Sequence, residues 1–325
     1  MNTSAATHES IDSPDEEATG STGLLLQDTY TLGPCIGRGG MGEVYEATHV
    51  RLPGLVAIKI LRSHLRADED ARRRFCREAA IMSALRHPHI IQIFDYNTSL
   101  DGLPYFAMEH LDGVDLQTRL TDAGALPLPA LVRIVEAVAS ALGAAHALGI
   151  VHRDLKPANI FLVRGEGRDD DFVKVLDFGL SEAAGSSPSL SRASEMMGTP
   201  AFMSPEQALG RVDQIDARTD QFALAAITYA MLTGRAPFVG ENPASLLYQV
   251  VHEQPRPVSD FVPWPANEIQ SVLDRGLAKR QEDRFDSVVE FGWALRVAAH
   301  SVIRGHARPA RARTAAVSQA PARSS

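Results

Sequence analysis

Apolar and polar residues alternate in short runs over the first third of the chain. The runs are Tyr30–Ile36, Glu43–Thr48, Val56–Leu61, Ile90–Tyr96 and Tyr105–His110, and this period-two pattern predicts strands. One stretch from about Asp68 to Leu85 breaks the pattern. There Ala71, Phe75, Met82 and Leu85 recur at i, i+4, i+11 and i+14, which predicts a helix with one buried face. Glu78 falls on that same face. After Leu116 the period lengthens. Leu131, Ile134, Val135, Val138, Leu142 and Ala145 recur at helical spacing, and Phe222–Leu232 is apolar nearly all round, the signature of a buried helix. A short strand-like run, Val173–Leu176, stands between them. The pattern predicts an α+β chain: a small β-rich lobe with one helix, then a larger helical lobe. Clefts between such units are common ligand sites.

Composition limits the alternatives. The chain has 325 residues, 45% of them apolar and 22% charged, so it can build a core without disulfides or a structural metal. The ends differ from the middle. Residues 1–27 carry five acids and no Lys or Arg, and the tail from 303 is rich in Arg, Ala, Pro and Ser. Both read as disordered, leaving 28–302 as the folded domain, divided into 28–111 and 112–302. The net charge of -8 argues against a nucleic-acid partner. Cys35 and Cys76 are the only cysteines and have no metal-type spacing, which fits a reducing compartment. No run of 18 apolar residues is present, and Phe222–Leu232 is too short to span a bilayer. A cytoplasmic location is expected, with no membrane span in this chain.

Four local patterns carry chemistry. Gly37-Arg38-Gly39-Gly40-Met41-Gly42 matches a glycine-rich phosphate loop, where absent Cβ atoms let backbone N–H groups approach a phosphate. A dinucleotide-binding turn would open a helix here. The alternating Glu43–Thr48 instead predicts a hairpin over the phosphates. Lys59 sits inside the apolar run Val56–Leu61. With Glu78 on a buried helical face, each offers the other the partner that a buried charge needs. His152-Arg153-Asp154-Leu155-Lys156-Pro157-Ala158-Asn159 puts a base candidate, a cation and an amide in one loop. Asp177-Phe178-Gly179 follows the Val173–Leu176 strand and offers a carboxylate at a turn. Asp177 and the Asn159 amide are hard oxygen donors suited to Mg²⁺. His87-Pro88-His89 has no partner motif and reads as a plain turn.

In this order, and joined by Ser204-Pro205-Glu206, Asp220 and Arg284, the motifs resemble the eukaryotic-like serine/threonine protein kinases of bacteria over about Tyr30–His300. The resemblance implies the bilobal protein-kinase fold, with an antiparallel β-rich N-lobe and a mainly α-helical C-lobe. It also implies transfer of the ATP γ-phosphate to Ser or Thr hydroxyls of protein substrates, with Mg²⁺ or alternatively Mn²⁺. By this resemblance Gly37, Gly39, Gly40 and Gly42 cover the phosphates, and Lys59, positioned by Glu78, holds the α- and β-phosphates. Asp177 and Asn159 bind metal, Asp154 takes or orients the substrate proton, and Lys156 steadies the γ-phosphate. Ile36, Val44, Ala57 and Phe161 would sandwich the base. Glu109–Leu111 would form the hinge behind the gatekeeper Met108, and Asp115 would meet the ribose. Asp220 would brace the catalytic loop, and Glu206 would pair with Arg284.

The same resemblance gives Arg153 a phosphate on the activation loop to meet. Ser191 and Ser194 are then the expected autophosphorylation sites, with a transient homodimer as the route. Thr199 is expected to hydrogen-bond near Asp154 and Lys156. Phe202 and Ser204 stand where the family often has Tyr and Ala, and Arg164–Asp171 is an acidic insertion. A catalytically silent scaffold is disfavoured because Lys59, Asp154 and Asp177 are all present. A small-molecule kinase is disfavoured by the complete segment from Asp177 to Glu206.

Overall fold

The computed structural model describes residues 23–164, 171–178 and 200–306. Contacts divide the chain into two compact units. One comprises the residues up to Ala84 together with Ile91–Leu111; the other comprises Leu85–Ile90 and Asp112 onward. One break lies between Leu111 and Asp112, and the six residues Leu85–Ile90 belong with the second unit. Ile90 is there because it bridges in parallel to Val175.

The first unit is a six-stranded antiparallel sheet with one helix. Its strands are β1 (Leu25–Leu26), β2 (Tyr30–Arg38), β3 (Gly42–His49), β4 (Leu55–Leu61), β5 (Ile93–Thr98) and β6 (Pro104–Glu109), in the order β1-β2-β3-β4-β6-β5. β1 corrects the expected start of order at residue 28. Leu26 is buried and pairs with Tyr30, and the N–H of Gly23 donates to the Leu32 carbonyl at 2.7 Å. β5 starts three residues later than the apolar run suggested, since Ile90 is claimed by the other unit. Tyr30, Leu32, Tyr45, Ile58 and Tyr105 fill one side of the sheet. The helix α1 (Glu69–Ala84) buries Ala71, Phe75, Glu78, Ala79 and Met82, the face set by the helical period. Phe75 packs on Phe106 of β6 with ring centroids 5.1 Å apart.

In the second unit the helices are α2 (Leu116–Ala123), α3 (Leu128–His146), α4 (Pro205–Ala208), α5 (Ala217–Thr233), α6 (Pro243–His252), α7 (Asn267–Gly276) and α8 (Val288–His306). α8 runs past residue 302, so order extends into the segment expected to be a disordered tail. α5 is the buried helix: every residue from Thr219 to Leu232 is enclosed. α3 is long and apolar enough to cross a membrane by composition, with mean hydropathy 1.6, but half of it is buried within this unit, where it packs on α8 and α5.

A small sheet of β7 (Gly113–Asp115), β8 (Ile160–Val163) and β9 (Phe172–Val175) completes the unit. Periodicity gave no sign of β7 or β8. Their pairing depends on Gly113, where a Cβ would lie 2.0 Å from the Leu162 carbonyl oxygen. Any larger residue would push β7 off β8.

Candidate active site

In the first unit the glycine-rich segment is a hairpin. Gly37 pairs with Val44 and Arg38 with Glu43, and the Gly39 N–H donates to the Gly42 carbonyl at 2.9 Å. The strand after the turn excludes a helix-opening dinucleotide loop. Gly42 has a packing reason of its own, because a Cβ there would lie 2.8 Å from the Ile60 carbonyl oxygen. Gly40 stands in open space. Of the apolar residues expected around the base, Ala57 and Met108 are buried, Val44 is half-buried and Ile36 is 50% exposed. The expected hinge is partly committed: the Glu109 N–H donates to the Gln92 carbonyl and its carboxylate accepts from the Gln92 N–H.

Strand β4 and helix α1 bring Lys59 and Glu78 together, Nζ to Oε1 at 2.7 Å. Their side chains retain only 10% and 11% exposure. Lys59 is buried in β4 together with Ala57 and Ile58, and Glu78 sits one turn beyond Phe75 on the buried face of α1. The Phe106 ring lies 5.7 Å from the ammonium. A cation and an anion enclosed together offset each other's desolvation, which neither could sustain alone.

In the second unit the loop 152–159 is built around one carboxylate. Asp220, in the first turn of α5, accepts from the His152 and Arg153 N–H groups at 2.7 and 2.8 Å. His146 of α3 contacts it through Nε2 at 2.7 Å. Asp220 is 1% exposed, so this carboxylate fixes loop backbone and meets no ligand. His146 was not singled out from the sequence. Its position as the last residue of an apolar helix gave no sign of Asp220, 74 residues away. Arg153 takes a positive φ of 67°, the left-handed conformation that costs a non-glycine residue energy. Asp220 behind it and Gln207, whose Nε2 donates to the Arg153 carbonyl at 2.6 Å, hold it there.

That turn presents Asp154, 33% exposed in its side chain, with Lys156 Nζ at 2.8 Å from Oδ2. The Asn159 amide nitrogen donates to the Asp154 carbonyl at 2.8 Å, which directs the amide oxygen away as an acceptor. Asp177 is tied to the same loop through its neighbour. The Leu176 N–H donates to the Asn159 carbonyl at 2.8 Å, and the Leu176 carbonyl faces His152 Nε2 at 3.1 Å. Phe178 is fully buried against the His152 ring, centroids 4.7 Å apart. Asp177, with φ of 32°, therefore lies just past the end of β9, beside the loop. An amide oxygen and a carboxylate next to it form a hard-oxygen donor set that suits a divalent cation with phosphate and water as further ligands. The two histidines at 87 and 89 point elsewhere, to the Ser140 hydroxyl and the Val173 carbonyl.

Two residues take local roles. Asp115 caps α2, accepting from the Thr118 N–H at 2.8 Å and its hydroxyl at 2.9 Å, so its carboxylate is engaged within its own unit. Phe161 is half-buried on β8 opposite Asp115. Ser204, an apparent oddity in sequence, caps α4 in a reciprocal capping box with Gln207. Glu206, one residue into α4, meets Arg284 through two parallel contacts of 2.9 and 2.8 Å. Burial raises the Glu206 carboxyl, but the Arg284 fork and charge, with help from the Thr219 hydroxyl, outweigh it and leave the pKa below the usual carboxylate range. Gly179, Ser191, Ser194 and Thr199 lie outside the described residues.

A glycine hairpin, a lysine held by a helical glutamate, and a braced Asp-x-Lys-x-x-Asn loop beside an aspartate just past a strand end are the parts of a phosphoryl-transfer enzyme. The model of the protein kinase domain matches residues 30–293. Serine/threonine-protein kinase PknB of Mycobacterium leprae is 39% identical over 268 residues, covering 82% of this chain and 42% of the relative. Serine/threonine-protein kinase Pkn1 of Myxococcus xanthus is 42% identical over 276 residues, covering 85% and 39%. The chain thus spans about two-fifths of the length of these relatives. Among solved structures, the kinase domain of PknI from Mycobacterium tuberculosis superposes with a TM-score of 0.65 at 34% identity, over 85% of this chain and 98% of that one. The chain belongs to the protein kinase family, in its eukaryotic-like bacterial serine/threonine branch. Members of this family use ATP and a divalent cation.

Proposed function

We propose that this chain transfers the γ-phosphoryl group of ATP to Ser and Thr hydroxyls of proteins, with Mg²⁺ as the metal and Mn²⁺ as a substitute. The observation that carries the reading is the loop 152–159. Asp154 is presented to solvent with its oxygen 2.8 Å from Lys156 Nζ, on a backbone held from behind by buried Asp220. Little covalent chemistry is required of the protein; positioning and charge neutralisation carry the reaction. Asp154 accepts or orients the proton of the attacking hydroxyl. Lys156 offsets charge on the γ-phosphate. Asn159 and Asp177 would hold the metal, which would supply charge neutralisation for the transfer. Lys59 binds the α- and β-phosphates, with Glu78 keeping its ammonium in place, and the 37–42 hairpin lends backbone N–H groups. Ile36, Val44, Ala57, Phe161 and Asp115 belong to the nucleotide site in this reading, as do Glu109 and Leu111.

Ser191 and Ser194 are the expected autophosphorylation sites, reached through a transient homodimer, with the cytoplasm as the compartment that supplies ATP. Incubation with labelled ATP and Mg²⁺ tests the assignment. Asp154→Asn keeps the shape and removes the base, and transfer to a generic protein substrate should fall by about 10²- to 10⁴-fold. Transfer at the wild-type rate by that variant would refute the role.

A further inference from the structure

Beside the catalytic loop, wholly within the second unit, lies an open cavity of about 500 Å³. Its walls are α2, the segment Lys156–Ala158, residues 201–202, and the end of α5 with the turn after it. Ala158, Ala201, Ala230 and Ala236 give it a small apolar lining, and Gln117 and Thr121 supply neutral polar groups. None of the lining residues is acidic, and two, Lys156 and Arg235, are cations. The two differ. Lys156 is already paired with Asp154 at 2.8 Å. Arg235 is exposed, and among the described residues no carboxylate pairs with it. Its neighbour Arg256 shares the Phe261 ring with it, at 5.0 against 5.9 Å, but is neutralised by Asp260 at 3.0 Å. An unneutralised guanidinium on the rim of a pocket with an alanine lining attracts an anion and repels a cation. A guanidinium also offers a planar fork that fits carboxylate or phosphate oxygens.

We propose that this pocket is a subsite for the substrate chain, that it takes a side chain ending in an anion, and that Arg235 is the residue that selects it. The inference rests on the kinase reading for its occupant, because the pocket adjoins the residues assigned to the acceptor hydroxyl. Carboxylate and phosphate share the required chemistry. Asp or Glu would serve as a fixed preference, and a phosphorylated Ser would serve where a prior phosphorylation primes the substrate. A Lys or Arg at the same place would face the Arg235 charge, with no acid among the lining residues to receive it.

The test separates binding from transfer. The full chain is offered a peptide library with a central Ser, in which Asp, phosphoserine or Lys is placed at each flanking position in turn. A matched set has the central Ser replaced by Ala, and its binding is read by fluorescence anisotropy. The wild type should favour the anionic peptides over the Lys peptide at one position near the acceptor. Arg235→Glu should shift that ratio toward Lys on the order of tenfold while leaving transfer to peptides neutral at that position within about twofold. Arg235→Gln, which removes the charge without reversing it, should fall between. Comparing the Asp and phosphoserine arms distinguishes a fixed acidic preference from priming. An anion-to-Lys ratio unchanged by either variant at every position, in binding and transfer alike, overturns the subsite. Anionic peptides that bind through Arg235 without phosphate transfer would leave the subsite standing and refute the kinase reading.

Discussion

Each unit encloses a cation against a glutamate, and the two pairs are built to different ends. In the second unit, all five N–H groups of the Arg284 fork have acceptors. These are the two Glu206 oxygens and the carbonyls of Arg218, Ala278 and Lys279, at 2.8–3.4 Å. The Arg284 side chain is 0% exposed and that of Glu206 is 3%. Nothing can reach the pair, so it can only hold the fold. In the first unit, Lys59 and Glu78 keep about a tenth of their side-chain surface open. An ammonium is also a compact charge with rotatable donors, able to accept a second anion without leaving the first. Full enclosure and complete saturation mark the structural pair, while partial access marks the pair a ligand can address.

Breaking each pair should give different signatures. Arg284→Met leaves Glu206 charged and buried without its partner, which typically costs about 3–5 kcal/mol. For a domain of this size thermal unfolding should move down by about 10 °C, and activity should be lost in parallel with folded protein. If Arg284→Met unfolds at the wild-type temperature, the structural assignment of this pair is wrong. Lys59→Met should reverse the pattern. Transfer of labelled phosphate should drop about 100-fold or more, equivalent to about 2.7 kcal/mol of barrier, while the thermal midpoint shifts less than in Arg284→Met. A midpoint shift as large as that of Arg284→Met, with activity per folded molecule preserved, would erase the distinction.

A third, partly buried cation gives the smallest and most specific effect. Lys279 donates to the Val250 and Gln249 carbonyls near the end of α6 and lies 4.2 Å from the Phe238 ring centroid. Burial lowers its pKa to about 8; the Arg284 charge adds to the shift and Glu253 opposes it. The folded chain therefore releases this proton at lower pH than the unfolded chain, whose lysine titrates near 10.5. Between these values the unfolded state binds more protons, so the contribution of this group to stability rises with pH. In unfolding experiments from pH 7.5 to 9.5, wild type should gain on Lys279→Met by up to about 1.4 kcal/mol per pH unit. Parallel curves for the two proteins would show that Lys279 titrates normally.

Much of the site could be read from the sequence because its chemistry is written in short strings. The loop 152–159 carries a carboxylate, a cation and an amide within eight residues, and the helical period alone placed Glu78 on the buried face with Phe75. Long-range register could not be read in this way. β7 and β8 are three and four residues long, too short to show alternation, and their pairing is specified by Gly113 meeting Leu162. Leu25–Leu26 looked like the end of a polar tail because a two-residue strand has no period at all. Asp115 is read from its motif as a ribose contact, and the structure adds that it caps α2, a role open to an acid just before a helix. Ser204 departs from the family pattern and is explained by the same kind of cap.

Asp220 has a consequence for how this protein comes into being. The groups it holds, the His152 and Arg153 amides, precede it by 68 and 67 residues. The segment bearing Asp154 therefore cannot be shaped by its own neighbours along the chain. It reaches its working form only after α5 has been synthesised and packed inside the second unit. A chain emerging from the ribosome therefore cannot hold the Asp154 turn in this form until α5 has followed it and packed.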